Sequence, residues 1–172
     1  MKKIAQFLKV SFEEFQKGYN DCFGVSDYIE EIYNKIKLPK RATKGSAGYD
    51  FYLPEDITLL PGKTAKIPTG IRVKIDDGWV LKLYPRSGLG FKFRLQLNNT
   101  VGIIDSAFFE SDNEGHIFII ITNDTNENKT ITLQTGDAFV QGIFIEYGIT
   151  VDDDTDGIRN GGFGSTGGNG GV

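Results

Sequence analysis

Four short segments of the chain combine a charged or amide side chain with glycine, and each could contact an anionic ligand. Arginine offers a planar set of donors to phosphate, and glycine amides can approach anionic oxygens closely. A carboxylate in such a loop could hold a cation or orient a water. Each segment taken singly is also ordinary turn chemistry. The segments are AGYD (47–50), PRSGLG (85–90), NNTVGIID (98–105) and GDAFVQ (136–141).

The last sixteen residues, 157–172, hold eight glycines around Arg159, Phe163, Ser165 and Thr166. Such a segment has too little apolar surface to fold alone, so composition predicts either a solvated tail or a flexible arm. Arginine and hydroxyl groups could clamp a phosphate, and a phenylalanine ring could stack on a base. The arm would then close over a nucleotide, with the acidic run 152–156 as a hydrated linker.

Length and composition limit the classes to which the protein can belong. With 172 residues, 39% of them hydrophobic, the chain is most simply one soluble globular domain. No apolar run is long enough for a transmembrane helix, and the N-terminus lacks the features of a signal peptide. A formal charge of -4 argues against a nonspecific nucleic-acid binder. The single cysteine, Cys22, fits a reducing, cytoplasmic compartment.

The chain divides into three zones that must position these segments. Residues 1–38 predict a strand followed by two helices, the first opened by the capping-box pair Ser11 and Glu14. Residues 39–151 predict an antiparallel β-barrel or jelly-roll-like sandwich, because short β-rich runs alternate with turn residues. The runs are 57–60, 71–75, 79–84, 117–122, 130–133 and 139–147. Residues 152–172 form the linker and arm.

Taken together and in this order, the segments resemble the five ordered motifs of the trimeric dUTP pyrophosphatase (dUTPase) family. The matching stretches are AGYD, PRSGLG, NTVGIID, GDAFVQ and RNGGFGSTG, and the resemblance covers roughly residues 38–167. Five short motifs in one order are far more specific than any one of them. The resemblance implies a mainly β, jelly-roll-like subunit in a homotrimer whose active sites are shared between subunits.

The resemblance also assigns roles to residues. It implies that a hairpin at 99–105, with Asn99, Gly102 and Ile104, holds the deoxyuridine of dUTP, and that Phe108 lies under the sugar. Asp50 would help to place a hydrated Mg²⁺, held mainly by the triphosphate, and Asp105 would orient and deprotonate the attacking water. The residues implied along the phosphates are Arg86, Ser87, Gly88 and Gln141. Those implied to close from a third subunit are Arg159, Phe163, Gly164, Ser165 and Thr166.

Three departures from the family pattern stand in the sequence. Ala107 replaces a second carboxylate after Asp105, and Phe108 replaces a tyrosine, so the ring is kept and the hydroxyl lost. Ala138 stands where an arginine is usual. Residues 110–115 look like an insertion leading into His116, the only histidine, for which a structural or trimer-contact role is expected.

Two other functions fit parts of the sequence. One is a dCTP deaminase, which shares the fold and the Arg-Ser motif but would need a carboxylate against the cytosine amino group. The other is a weakly catalytic, dUTPase-like binding protein that meets a partner through residues 1–38. Neither nucleic acid nor a membrane is expected as a partner.

Overall fold

Strands dominate residues 1–157, the part of the chain that the computed structural model describes. The strands there are β1 Ala5–Lys9, β2 Lys40–Arg41, β3 Tyr49–Tyr52, β4 Ile57–Leu59, β5 Thr64–Pro68, β6 Ile71–Ile75, β7 Trp79–Pro85, β8 Leu95–Leu97, β9 Gly102–Ile104, β10 Phe118–Asn123, β11 Ile131–Leu133 and β12 Ala138–Glu146. The helices there are α1 Phe12–Phe23, α2 Ile29–Lys35, α3 Ser87–Phe93 and a 3₁₀ helix Ser106–Glu110. The six β-rich runs of residues 39–151 therefore all form strands, with boundaries that shift by at most one residue.

The strands pair only in antiparallel fashion within residues 1–157. The largest sheet has the order β2-β3-β12-β7-β9, and a second has the order β5-β10-β8. Two further pairs, β1-β6 and β11-β4, complete the arrangement. Alternation sets which side faces inward: along β6, Ile71, Val73 and Ile75 are buried while Lys74 is exposed. The mainly β, jelly-roll-like fold expected from the sequence is confirmed.

One hydrophobic core fills the space between the sheets and is built from aliphatic and phenylalanine side chains. Its most enclosed rings are Phe51, Phe108 and Phe139. Tight turns return the chain at the edges. At Gly78, between β6 and β7, φ is +84°, a conformation that side chains other than glycine seldom adopt.

The N-terminal segment packs on this body through a smaller second core. β1 pairs with β6, and the second core comprises Val10, Phe15, Tyr19 and Ile29. Helix α2 begins at Ile29, and Tyr28 precedes it with 65% of its surface exposed. None of the helices in the described part of the chain has the length and apolar character needed to span a membrane.

The start of α1 differs in one respect from the predicted capping box. Ser11 is the N-cap, and its hydroxyl accepts a hydrogen bond from the Glu14 amide at 3.2 Å. The reciprocal bond from Glu14 is absent, since the Ser11 amide donates instead to Glu114 Oε2 at 2.8 Å. Glu14 lies against His116. A carboxylate 103 residues away thus completes the cap, which local spacing could not predict.

Candidate functional site

Three of the predicted site residues meet on the five-stranded sheet. Asp50 on β3 and Gln141 on β12 are register partners, and Gln141 pairs on its other side with Tyr84 of β7. Arg86 follows β7 directly, and its Nε lies 3.2 Å from Asp50 Oδ1. Half-exposed Arg86 thus presents its guanidinium beside a carboxylate that is mostly buried. Paired in this way, the two side chains hold each other at the sheet surface.

Gln141 is fixed by close packing in the same cluster. Its Nε2 donates to the Pro85 carbonyl at 3.3 Å. A Cβ at Gly48 would lie 2.5 Å from Gln141 Oε1, so any side chain at this position would displace the Gln141 carboxamide. Ser87 and Gly88 follow as the first residues of α3, where helical amides have no partner within the helix. Carboxamide, guanidinium and amide donors are therefore gathered at one end of β7.

A second group of predicted residues lies around a cleft of about 410 Å³. Residues 99–105 do not form the expected two-stranded hairpin. Strand β8 pairs with β10 and strand β9 pairs with β7, so the two strands belong to different sheets. The cleft opens beside the turn that joins them, and Asn99 and Gly102 are in its lining. Backbone groups of a turn between separated strands are well placed to read the polar edge of a planar base.

Close packing around this cleft explains two more sequence features. A Cβ at Gly102 would lie 2.9 Å from the Leu83 Cβ, so glycine allows β9 to approach β7. At the start of the turn, the backbone amide of Asn98 donates to the Ile120 carbonyl at 3.0 Å. Within the turn, Thr100 adopts a positive φ of +66°. Ile104 and Phe108 lie elsewhere, in the main core, with 1% and 2% of their surfaces exposed.

Similarity to known proteins agrees with this geometry. The sequence model of the dUTPase family matches residues 34–167. The chain belongs to the dUTPase family. It is 40% identical to deoxyuridine 5'-triphosphate nucleotidohydrolase of Lactococcus lactis over 77% of this chain and 89% of that protein. The enzyme of the same name from Finegoldia magna is 43% identical over 80% of this chain and 97% of that protein.

A solved dUTPase structure also resembles this chain in fold and sequence. The crystal structure of the dUTPase from Streptococcus mutans superposes with a TM-score of 0.59 and 36% identity, covering 73% of this chain and 94% of that one. The family match begins at residue 34, so β1, α1 and most of α2 precede it. This dUTPase-family chain therefore carries an N-terminal segment outside the matched region.

Sequence reasoning missed several residues that the structure places at these sites. Leu83, Asn98, Lys66, Asn113 and Phe118 also line the cleft. Of these, Asn98 stood next to a predicted residue, whereas the others come from distant parts of the chain and gave no local signal.

Asp77, in the loop before β7, lies near Asp105, the candidate general base. Ser106 Oγ donates to Asp77 Oδ1 at 3.0 Å, which places a carboxylate beside the residue that follows Asp105. Sequence comparison showed a carboxylate lost at Ala107, and the fold brings a different one near. No pattern in the sequence linked these two loops.

Two of the predicted site residues, Asp105 and Arg86, lie at opposite ends of β7. Ile104 is opposite Leu81, so Asp105 lies next to the first residues of β7, whereas Arg86 follows its last residue. At about 3.3 Å per residue, this places Asp105 and Arg86 roughly 20 Å apart along the sheet. Arg159, Phe163, Gly164, Ser165 and Thr166 lie outside the described residues.

The carboxylates of the described residues bear on whether the site could hold Mg²⁺. Within residues 1–157 no group of three or more metal-ligating side chains comes together. Mg²⁺ in nucleotide enzymes keeps several waters and is held by one or two carboxylates together with the phosphates. Asp50, paired with Arg86, offers one such carboxylate. The residues present therefore fit a hydrated ion held mainly by the substrate.

His116 has the structural surroundings that the sequence analysis expected. Its side chain is fully buried; Nε2 accepts from the Gly70 amide at 2.9 Å, and Nδ1 lies 3.3 Å from Glu14 Oε1. Burial is the main cause that lowers the pKa of His116 to about 4, with Lys66 adding to the shift and Glu114 opposing it. The imidazole is therefore neutral at pH 7, with its proton on Nδ1.

We expect His116→Gln to flatten the pH dependence of the free energy of unfolding. The unfolded chain binds a proton at His116 near pH 6.5 and the folded chain only near pH 4, so stability is lost as pH falls through this window. The full loss is about 3 kcal/mol. Glutamine keeps an acceptor for Gly70 and a donor for Glu14. Denaturant unfolding at pH 7.5, 6.5 and 5.5 measures the slope; equal slopes in both proteins would contradict the assignment.

The two neighbouring carboxylates, Glu14 and Glu114, contribute to the pH dependence in opposite directions. Burial raises the pKa of Glu14. Burial also opposes the charge of Glu114, but hydrogen bonds from Ser11 and the charge of Arg72 outweigh it, so its pKa is lowered. As pH falls, protonation of Glu14 stabilises the folded chain and protonation of Glu114 destabilises it.

Proposed function

We propose that the protein hydrolyses dUTP to dUMP and pyrophosphate. Membership of the dUTPase family and about 40% identity to named dUTP nucleotidohydrolases make it a dUTP diphosphatase. The observation that supports the reaction best is the pairing of the cleft at Asn99 and Gly102 with an Asp50–Arg86–Gln141 cluster suited to phosphates. The two groups match the two halves of a nucleoside triphosphate.

The residues divide the chemistry between them. Asp105 orients a water for in-line attack on the α-phosphorus and accepts its proton, a general-base contribution of about 10²–10⁴ in rate. Arg86, Gln141 and the amides of Ser87 and Gly88 stabilise the charge that builds on the phosphate oxygens. Asp50 would help to hold a hydrated Mg²⁺, which would supply further positive charge to the triphosphate. Asn99 and Gly102 read the uracil edge, and Phe108 and Ile104 support the nucleoside pocket from the core.

The active site is shared between copies of the chain. Asp105 and Arg86 of one chain lie roughly 20 Å apart along the sheet, too far for both to contact one α-phosphate. A closed homotrimer places Asp105 of one subunit against Arg86 of the next and lets every arm reach an equivalent site. Light scattering should give the mass of a trimer at micromolar concentration, and a monomer mass would contradict this arrangement.

The proposed organisation has three parts. Residues 1–38 form the N-terminal extension, residues 39–151 the dUTPase-like domain, and residues 152–172 an acidic linker and glycine-rich arm. Arg159, Ser165, Thr166 and Gly164 of the arm clamp the phosphates, and Phe163 stacks on the uracil. Cys22 is a free thiol, which fits a cytoplasmic location.

A panel of dUTP, dTTP, dCTP and UTP, each with Mg²⁺ and with EDTA, tests the function. We expect pyrophosphate release from dUTP to be strongly preferred and to require Mg²⁺. Ammonia release from dCTP would indicate a deaminase. Retained dUTP binding with almost no turnover would indicate a binding protein.

A further inference from the structure

Helix α1 packs directly behind one wall of the base cleft. Gly18 of α1 is buried, and a Cβ at this position would lie 2.8 Å from the Phe118 ring and 2.9 Å from His116 Cε1. Phe118 also lines the cleft together with Asn99 and Gly102. The Phe118 ring is therefore held between the helix and the cleft, and only a residue without a side chain fits behind it.

A second contact joins the same helix to the same wall. Lys66 lines the cleft, and its Nζ lies 4.9 Å from the centre of the Phe118 ring. The Asp21 carboxylate of α1 accepts from this ammonium at 2.8 Å. Lys66 of β5 and Phe118 of β10, which both line the cleft, are thus in contact with α1.

The insertion at 110–115 extends this wall and is tied to the helix in turn. Asn113 lines the cleft, and its neighbour Glu114 accepts from both the amide and the hydroxyl of Ser11 at the start of α1, at 2.8 and 2.5 Å. His116, at the end of the insertion, lies against Glu14. Helix α1 therefore contacts three separate pieces of chain that border one side of the cleft.

We propose that α1 is a positioning element of the nucleotide site, which sets the width of the base cleft through Gly18 and Phe118. This role rests on the proposed function. The helix precedes the region matched by the dUTPase family, so this chain uses its own N-terminal segment to hold the wall. A methyl group at residue 18 moves the Phe118 ring into the cleft, and a smaller side chain at residue 118 widens it.

Kinetics of Gly18→Ala test the proposal. Helix propensity alone favours alanine, and a residue with a purely structural role would leave nucleotide discrimination unchanged. We expect KM for dUTP to rise about 10-fold with kcat within twofold, since one methylene of pocket space is worth roughly that factor. The matched control is Gln16→Ala, on the exposed face of the same helix, which should leave both constants unchanged.

Phe118→Leu and the double variant Gly18→Ala/Phe118→Leu complete a double-mutant cycle with Gly18→Ala. We expect Phe118→Leu alone to lower the kcat/KM preference for dUTP over dTTP about 10-fold, and the double variant to recover KM for dUTP. Recovery supports the proposal because it requires residues 18 and 118 to act on the same cleft. Additive effects, or a Gly18→Ala protein with unchanged KM, would overturn it.

The Asp21→Ala variant and the wild-type protein provide two further tests. If Gly18→Ala fails to fold, Asp21→Ala replaces it as the test. Both partners of the Lys66–Asp21 pair are exposed, so this variant should fold. A dUTP KM raised at least twofold in Asp21→Ala supports the proposal, and an unchanged KM overturns it. Wild-type protein without dUTP turnover would refute the proposed function itself, whereas wild-type turnover with an unaffected Gly18→Ala variant refutes only the role of α1.

Discussion

Asp105→Asn should lower kcat for dUTP by about 10²–10⁴-fold while leaving nucleotide binding intact. The amide has the same shape as the carboxylate but cannot take a proton from the attacking water. Asp105 has extended backbone angles, φ -84° and ψ 160°, that asparagine adopts readily, so the 3₁₀ helix that follows should be preserved. Pyrophosphate release under saturating dUTP measures the loss, and equilibrium binding of a non-hydrolysable dUTP analogue checks the site.

Asp77→Asn is the matched control for this prediction. It makes the same chemical change in a carboxylate that contacts Ser106, the residue after Asp105, and it should keep kcat within about 10-fold. The same light-scattering mass in all three proteins would exclude a loss of assembly. Near-normal turnover in Asp105→Asn would show that another group, or the substrate itself, accepts the proton.

Deletion of residues 157–172 should leave a folded oligomer with very low dUTP turnover. The segment is half glycine and has little apolar surface to add to the core, but it contains Arg159 and Phe163. Loss of a stacked ring alone removes on the order of 1–3 kcal/mol of binding, and loss of the arginine removes a phosphate contact as well. Thermal unfolding measures whether the shortened chain still folds, and steady-state kinetics measure its loss of dUTP turnover.

A shorter deletion, of residues 168–172, is the control. It retains the whole RNGGFGSTG motif and removes only residues beyond the family match, so activity should be unchanged. Full activity in the longer deletion would show that the arm is a solvated tail. A longer deletion that no longer folds would show instead that the arm is part of the folded core.

Local sequence signals predicted most of the strands in this fold. Runs such as 71–75 alternate apolar and polar residues, and β6 occupies those same residues. Alternation works because successive side chains of a strand face opposite sides of the sheet. The start of α1 at Ser11 was predicted for a similar reason, since an N-cap is a local interaction over three residues.

The pairing of the strands was not predictable in the same way. A hairpin was expected at 99–105, where a short turn joins two strands, but β8 and β9 pair with strands from elsewhere in the chain. The choice of partner depends on which distant strand can bury the other face of each segment. No pattern within the seven residues carries that information.

The sequence by itself determined the family, the order of the motifs and the residue types that chemistry on a nucleotide requires. Tertiary structure alone decided that Asp50, Arg86 and Gln141 meet, because strands far apart in the chain pair side by side. It also decided that Phe118 borders the cleft and that Gly18 packs behind the Phe118 ring. The physical reason is that local propensities act over a few residues, whereas a site is assembled by burial, which brings together segments with no relation in sequence.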